Sequence, residues 1–317
     1  MELLFEGEIM IYRIGSFNVR NLNYPVSKDG KRSFETIAKI IKTEQFDVVA
    51  LQEVLSDKVW DQLKMHLGAD WRFSWERPPQ YFGEAKADAR GEGYAYIWNT
   101  KKLDLVEIDV DGYTRKFLPR IWRQYRANGK KLIREPYYAR FSPQGKIAGC
   151  FCELRLINTH IVYGDSSKLG EAVRYSEFLK LVSNVYENIA NKRYGNSMPA
   201  YVVVLGDYNL SLNALQAVDV SVEIGNSVSE RHQERVITVQ DKPTTLNHKQ
   251  QNDGSYTSEF ANNYDHFSFL EKYQSLMNMD IERVEIENYC SDLAKYWETV
   301  SDHVPIKMSI NLNNRVV

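Results

Sequence analysis

Apolar residues come along this chain in short blocks of two kinds. Ile11–Val19, Asp47–Glu53, Tyr94–Trp98 and Tyr201–Leu205 are runs rich in β-branched and aromatic residues, as expected of strands buried on both faces. Between them, a helical period sets Phe34, Ile37, Ala38 and Ile41 on one face behind a Ser33 N-cap. Val59, Trp60 and Leu63 form a shorter helical face, and Lys168–Asn191 a longer one with Ala172, Tyr175, Phe178, Leu179 and Val182 as its stripe. Tyr137–Phe141 and Ile147–Asn158 read as an antiparallel pair turned at Ser142–Gly145. Tyr264–Phe269 and Val304–Ile310 close the series, after a less regular region that ends at Asn263. Hairpins mixed with crossovers predict two mixed sheets face to face with helices outside, an α/β/β/α four-layer sandwich forming one domain over residues 1–317.

Composition narrows the class. A 317-residue chain with 43% hydrophobic residues can fill a large core. No run of eighteen apolar residues suggests a membrane span. The first eight residues carry three acids and do not read as a leader, so residues 1–10 are expected to be a dispensable extension and the protein cytoplasmic and monomeric. Of the three cysteines, Cys150 and Cys152 would lie on one strand face, ~6.6 Å apart, near the upper limit for a disulfide; buried thiols are expected instead.

Net charge is only −2, but its distribution is uneven. Residues 113–140 hold nine basic side chains and one acid, Glu135, interleaved with Tyr113, Phe117, Trp122, Tyr125, Tyr137 and Tyr138. That mixture suits phosphates and stacked bases, although a solvated loop has the same composition.

The candidate chemistry sits at strand ends: Asn18, Glu53, Glu92, His160, Asp207, Asn209, Asp265, Asp302 and His303. Singly each fits a turn or a surface contact. Repeated ionisable groups at the ends of buried strands are a different matter, because unpaired buried charge is costly. If the ends converge, Glu53, Asp302, Asp207, Asn18 and Asn209 offer hard oxygen ligands for Mg²⁺, with Mn²⁺ or Ca²⁺ as substitutes. Two histidines beside such an ion suit proton transfer on a phosphate ester.

The ordered motifs resemble the endonuclease/exonuclease/phosphatase superfamily, and within it the deoxyribonuclease I branch. They are Ser16–Arg20, Leu51–Val54 (LQEV), Arg90–Tyr96, Arg134–Pro136 (REP), Asn158–His160, Gly206–Asn209 (GDYN), Tyr264–His266 and Ser301–His303 (SDH). The resemblance implies catalytic roles for His160, His303, Asp207, Glu92 and Asp265, with His303 held by Asp265 and His160 by Glu92. It implies metal binding at Glu53 and Asp302 with Asn18 and Asn209 close by, and phosphate binding by Arg134, Arg20 and Arg90. Arg134 is expected to meet phosphate rather than a protein carboxylate. The implied activity is phosphodiester hydrolysis on nucleic acid, with double-stranded DNA as the partner. A phosphatase or phosphodiesterase on a small-molecule or lipid phosphate is the alternative. Tyr264 stands where apurinic endonucleases carry arginine, and Arg90 where the pancreatic enzyme carries tyrosine.

Overall fold

The computed structural model describes residues 10–25, 32–79, 81–82, 85–86, 91–123, 132–144, 152–194, 198–212, 216–223 and 231–312. In chain order the elements that build the site are β1 (Ile11–Leu22), α1 (Phe34–Thr43), β2 (Val48–Val54), α2 (Val59–Leu67), β3 (Trp71–Glu76) and β4 (Gly93–Asn99). There follow β5 (Tyr137–Pro143), β6 (Glu153–His160), α3 (Lys168–Lys180), β7 (Ala200–Asp207), β8 (Gln216–Glu223) and β9 (Arg231–Val239). The chain then runs through β10 (Asp265–Leu270), β11 (Asp280–Arg283), α4 (Leu293–Thr299) and β12 (Ile306–Asn311).

Two mixed sheets result. The first has the order β11-β12-β1-β2-β4-β3, with β1 and β2 parallel. The second has β5-β6-β7-β10-β9-β8 as its body, with β6 and β7 parallel and short strands added beside β5. Period-two alternation decides which side chain enters which layer. Val48 and Ala50 belong to the core between the sheets, whereas Val49 and Leu51 face Ile37, Ile41, Val59 and Leu63 of α1 and α2. Across the central layer Tyr96 stacks on Tyr137 at 5.3 Å and meets Phe141 edge-on at 5.7 Å. On the far side of the second sheet, Tyr186 donates its hydroxyl to the Val202 carbonyl at 3.0 Å. This is the four-layer sandwich the pattern predicts. No helix among the described residues is long and apolar enough to cross a membrane.

Local signals hold where they have a partner to satisfy. Ser33 caps α1, its Oγ accepting from the Thr36 amide at 3.1 Å. The α3 stripe differs from expectation. Ala172 and Tyr175 are exposed, and the buried face is Arg174, Glu177, Phe178, Leu181 and Val182. Two charged residues lie on that face because each has work for its polar atoms. Arg174 Nη1 donates to the Asp165 carbonyl at 2.7 Å, and Glu177 accepts from the Ile133 amide at 2.6 Å. The region before Asn263 is also more regular than expected, for it holds β8, β9 and a hairpin of Leu246–Gln250 with Tyr256–Phe260. Cys152 is buried, and Cys150 lies outside the described residues.

The basic segment is partly structural. Lys116 pairs with Asp104 and Glu107, each at 2.9 Å. Arg140 is fully buried and donates through Nε to Glu153 at 2.8 Å. Phe117, Tyr137 and Tyr138 are core residues, so their rings are closed to stacked bases. Arg126, Lys130, Lys131 and Tyr125 lie outside the described residues.

His266 on β10 carries a pH expectation of its own. Its Nε2 lies 3.0 Å from the Leu210 and Asn263 carbonyls, and burial pushes its pKa down to about 4. The unfolded chain therefore binds the extra proton between the ordinary value near 6.5 and about 4. Stability contributed here is complete above pH ~6.5 and is lost as pH falls through that window, to a limit of ~3 kcal/mol. Urea unfolding at pH 7 and pH 4.5 should show that loss, and His266→Gln should flatten it; an equally steep fall in the variant assigns the acid sensitivity elsewhere.

Candidate active site

The candidate side chains lie at strand ends or in the turns beside them, and at several of these points the backbone is left-handed. Arg20, Asn21, Glu53 and Asn209 have φ of +43°, +52°, +60° and +49°, the left-handed region that costs a non-glycine residue ~1–3 kcal/mol when tightly held. The register between β1 and β2 shifts over this stretch. Glu53 and Asn209, two of these four residues, both hydrogen-bond within the group centred on Asn18 and Asp207.

Asp207 is the centre. Its Oδ2 accepts from Asn18 Nδ2 at 3.0 Å and lies 3.4 Å from His160 Nε2 and 3.5 Å from His303 Nε2. Its Oδ1 accepts from the Asn209 amide at 2.8 Å, while Asn209 Nδ2 donates to the Ile161 carbonyl. Behind each imidazole stands a second carboxylate. His303 Nδ1 is 2.8 Å from Asp265 Oδ2, and His160 Nδ1 is 3.2 Å from Glu92 Oε2. Burial opposes charge on His303, yet Asp265 and then Asp207 hold its pKa well above the usual value. Burial would raise Glu92, but His160 and Arg134 together bring it down to about 2.

A metal-like group adjoins this centre. Glu53, Glu92 and His160 offer ligand atoms that all lie within 4.8 Å of one another. Asn18 Nδ2 donates to Glu53 Oε1 at 2.9 Å, and the Asn21 amide donates to Glu53 Oε2 at 3.0 Å. Burial raises the Glu53 pKa over the opposing pull of His160, and the Glu92 charge raises it further. Asp302 is reached through Arg20, whose Nε is 3.4 Å from its Oδ2, and Asp302 Oδ1 is buried with no hydrogen-bond partner. Crowded, partly desolvated carboxylates with an idle oxygen fit a divalent cation.

The three arginines fare differently. Arg134, expected to meet phosphate rather than a protein carboxylate, lies beside one. Its Nη2 is 2.9 Å from Glu92 Oε2 and its Nη1 donates to the His160 carbonyl at 3.3 Å. With its guanidinium buried, an acid neighbour lowers the cost of the charge. Arg20 lies against Asp302 and over the Trp297 ring, 3.6 Å from its centre. Arg90 lies outside the described residues.

Two residues escaped the sequence reading although they sit inside its motifs. Asn158 Nδ2 donates to the Leu51 and Ala95 carbonyls at 2.9 and 3.2 Å, and Gln52 Nε2 donates to Asn158 Oδ1 at 2.8 Å. These buried amides bolt the two sheets together directly behind the site. Ser301 ties the turn before β12 to β1 within the first sheet, donating to the Asn18 carbonyl at 2.7 Å and accepting from the His303 amide at 3.1 Å.

The sequence profile of the Endonuclease/Exonuclease/phosphatase family matches residues 15–221, more than half of the chain and from β1 through most of β8. The chain belongs to that family. Its members are hydrolases of phosphodiester or phosphate bonds that use divalent metals. A search among curated protein sequences finds no match. Among solved structures, the fold is shared with ANGEL2, a 2′,3′-cyclic phosphatase, at a TM-score of 0.55 and 14% identity over 96% of each chain. It is shared with D. rerio TDP2 in complex with single strand DNA product, at 0.52 and 16% over 95% of this chain and 99% of that one. A family protein of Bacteroides vulgatus superposes at 0.53, with 13% identity over 96% and 100%.

Proposed function

We propose that this family member is a Mg²⁺-dependent nuclease that cleaves phosphodiester bonds in DNA, an endonuclease of the deoxyribonuclease I type. The observation that carries the reading is Asp207 set between two imidazoles, each backed by its own carboxylate. Hydrolysis needs an acceptor for the proton of the attacking water, positive charge at the phosphoryl oxygens and a donor for the leaving oxygen. His303, kept protonated by Asp265 and Asp207, binds a phosphoryl oxygen. Asp207 accepts the water's proton, and His160, oriented by Glu92, protonates the leaving oxygen. Glu53 and Asp302 would hold the cation, with Asn18 and Asn209 near by, and the cation would supply positive charge to the phosphoryl oxygens. Support for a nucleic-acid substrate comes from the TDP2 relative, whose structure holds a single-strand DNA product.

A second reading, a phosphatase or phosphodiesterase on a small or lipid phosphate, draws on the arginines. Arg134 is committed to Glu92, and Lys116 and Arg140 to acids elsewhere, which leaves less free cation for a long backbone. Plasmid DNA, RNA and 4-nitrophenyl phosphate assayed in parallel, with Mg²⁺ and with chelator, decide between the two. Nicking of plasmid that stops on chelation supports the nuclease; turnover of the monoester alone supports the second reading.

Glu53→Gln tests the cation site without reference to substrate. It keeps the size of the side chain and removes its charge, so the midpoint of Mg²⁺ activation should rise at least ~10-fold. An unchanged midpoint would falsify the assignment of Glu53.

A further inference from the structure

The hairpin Leu246–Gln250/Tyr256–Phe260 belongs to neither large sheet, yet it is tied to the catalytic end of the chain. The Leu246 amide donates to the Asp302 carbonyl at 2.8 Å, and Thr245 forms a β-bridge with His303. From that base rises a column of flat groups. Arg20, against Asp302, lies over Trp297 of α4 at 3.6 Å. His248 stacks on Trp297 with centroids 4.0 Å apart and planes within 3°. Tyr256 stacks on His248 at 4.6 Å and 4°. Ser258 Oγ, 2.8 Å from His248 Nδ1, fixes the middle ring.

Tyr256 ends the column and is 46% exposed. His248 covers one of its faces, and the ring is held parallel to those of His248 and Trp297, the orientation in which a nucleobase would extend the stack. Positive charge lies at the other end of the column, where Arg32 donates through Nε to the Arg20 carbonyl at 3.2 Å and through Nη1 to the Trp297 carbonyl at 3.3 Å. A strand that carries phosphates and bases together can meet cations at one end and an aromatic ring at the other.

We propose that Tyr256 is a base-stacking subsite that grips an unpaired nucleobase of the substrate strand, with Trp297 and His248 between it and Arg20. This rests on the nuclease reading and specifies it. In a duplex both faces of a base are covered by its neighbours, so an exposed ring of this kind takes a base from a single strand or one turned out of a helix. Tyr256 thereby makes the strand unpaired where it is gripped, a departure from intact double-stranded DNA as the preferred partner.

The test uses the full chain, Tyr256→Phe and Tyr256→Ala, with a single-stranded DNA oligonucleotide, the matching blunt duplex and bis(4-nitrophenyl) phosphate. The ratio of kcat/KM on the single strand to that on bis(4-nitrophenyl) phosphate should fall about tenfold in Tyr256→Ala, through KM, and stay at the wild-type value in Tyr256→Phe. The duplex should lose less than the single strand. A 2-aminopurine placed along the single strand should be quenched at one position by the wild type and by Tyr256→Phe, and not by Tyr256→Ala. Cleavage of the single strand by the wild type with an unchanged ratio in Tyr256→Ala overturns the subsite alone. Failure of the wild type to bind or cleave any oligonucleotide while it hydrolyses bis(4-nitrophenyl) phosphate overturns the nuclease reading and the subsite with it.

Discussion

Asp207→Asn should leave a folded protein whose kcat on a phosphodiester is lower by on the order of 10³-fold, the middle of the range for a positioned acid–base group. The substitution keeps size and shape, so β7 and its register with β6 and β10 have no reason to move. What changes is charge at one oxygen. Asn18 Nδ2, His160 Nε2 and His303 Nε2 all point to Asp207 Oδ2 within 3.5 Å. An amide there either turns its NH₂ toward three donors or loses the charge that helps keep His303 protonated. The pH profile should change with the rate, because the His303 limb moves to lower pH when Asp207 is neutral. Single-turnover rates between pH 5 and 9 measure both effects. A variant that keeps a tenth of the rate with an unshifted profile would show that the water's proton goes elsewhere.

Gly206→Ala should damage the fold itself. Gly206 has φ +147°, and a Cβ at that position would stand 1.9 Å from the Thr159 carbonyl oxygen. That neighbour is backbone in the paired strand, so relief requires β6 and β7 to part where they carry His160 and Asp207. The cost should reach the upper end for single substitutions, ~4 kcal/mol or more, and lower the melting temperature by roughly 8 °C or more. A thermal melt within 2 °C of wild type would mean that the two strands do not approach so closely.

Sequence legibility followed from how locally each feature is determined. Buried strands and the Ser33 cap depend on neighbours within a few residues, and their alternation or side-chain oxygen is visible in the sequence itself. The pairings of His303 with Asp265 and of His160 with Glu92 span distant segments, and they were legible only because the motifs resemble a family. The misjudged α3 face shows the limit of periodicity. Arg174 and Glu177 look like surface residues until Asp165 and Ile133 are known to supply their partners. Arg134 is a similar case, for a basic motif says nothing about which acid another strand will set beside it. Gln52 and Asn158 were overshadowed by the carboxylate and imidazole next to them, although it is their amides that fix one sheet against the other.

The position of β12 has a consequence for the timing of activity. It lies beside β1, its antiparallel partner, and it follows Asp302 and His303, which complete a site begun by Asn18 on β1. The hydrogen bond from Ser301 to the Asn18 carbonyl joins residues 283 apart in sequence, and contacts that close so long a loop are entropically costly and form slowly. On refolding from denaturant, activity should therefore return with the pairing of β1 and β12 and not with the earlier local structure.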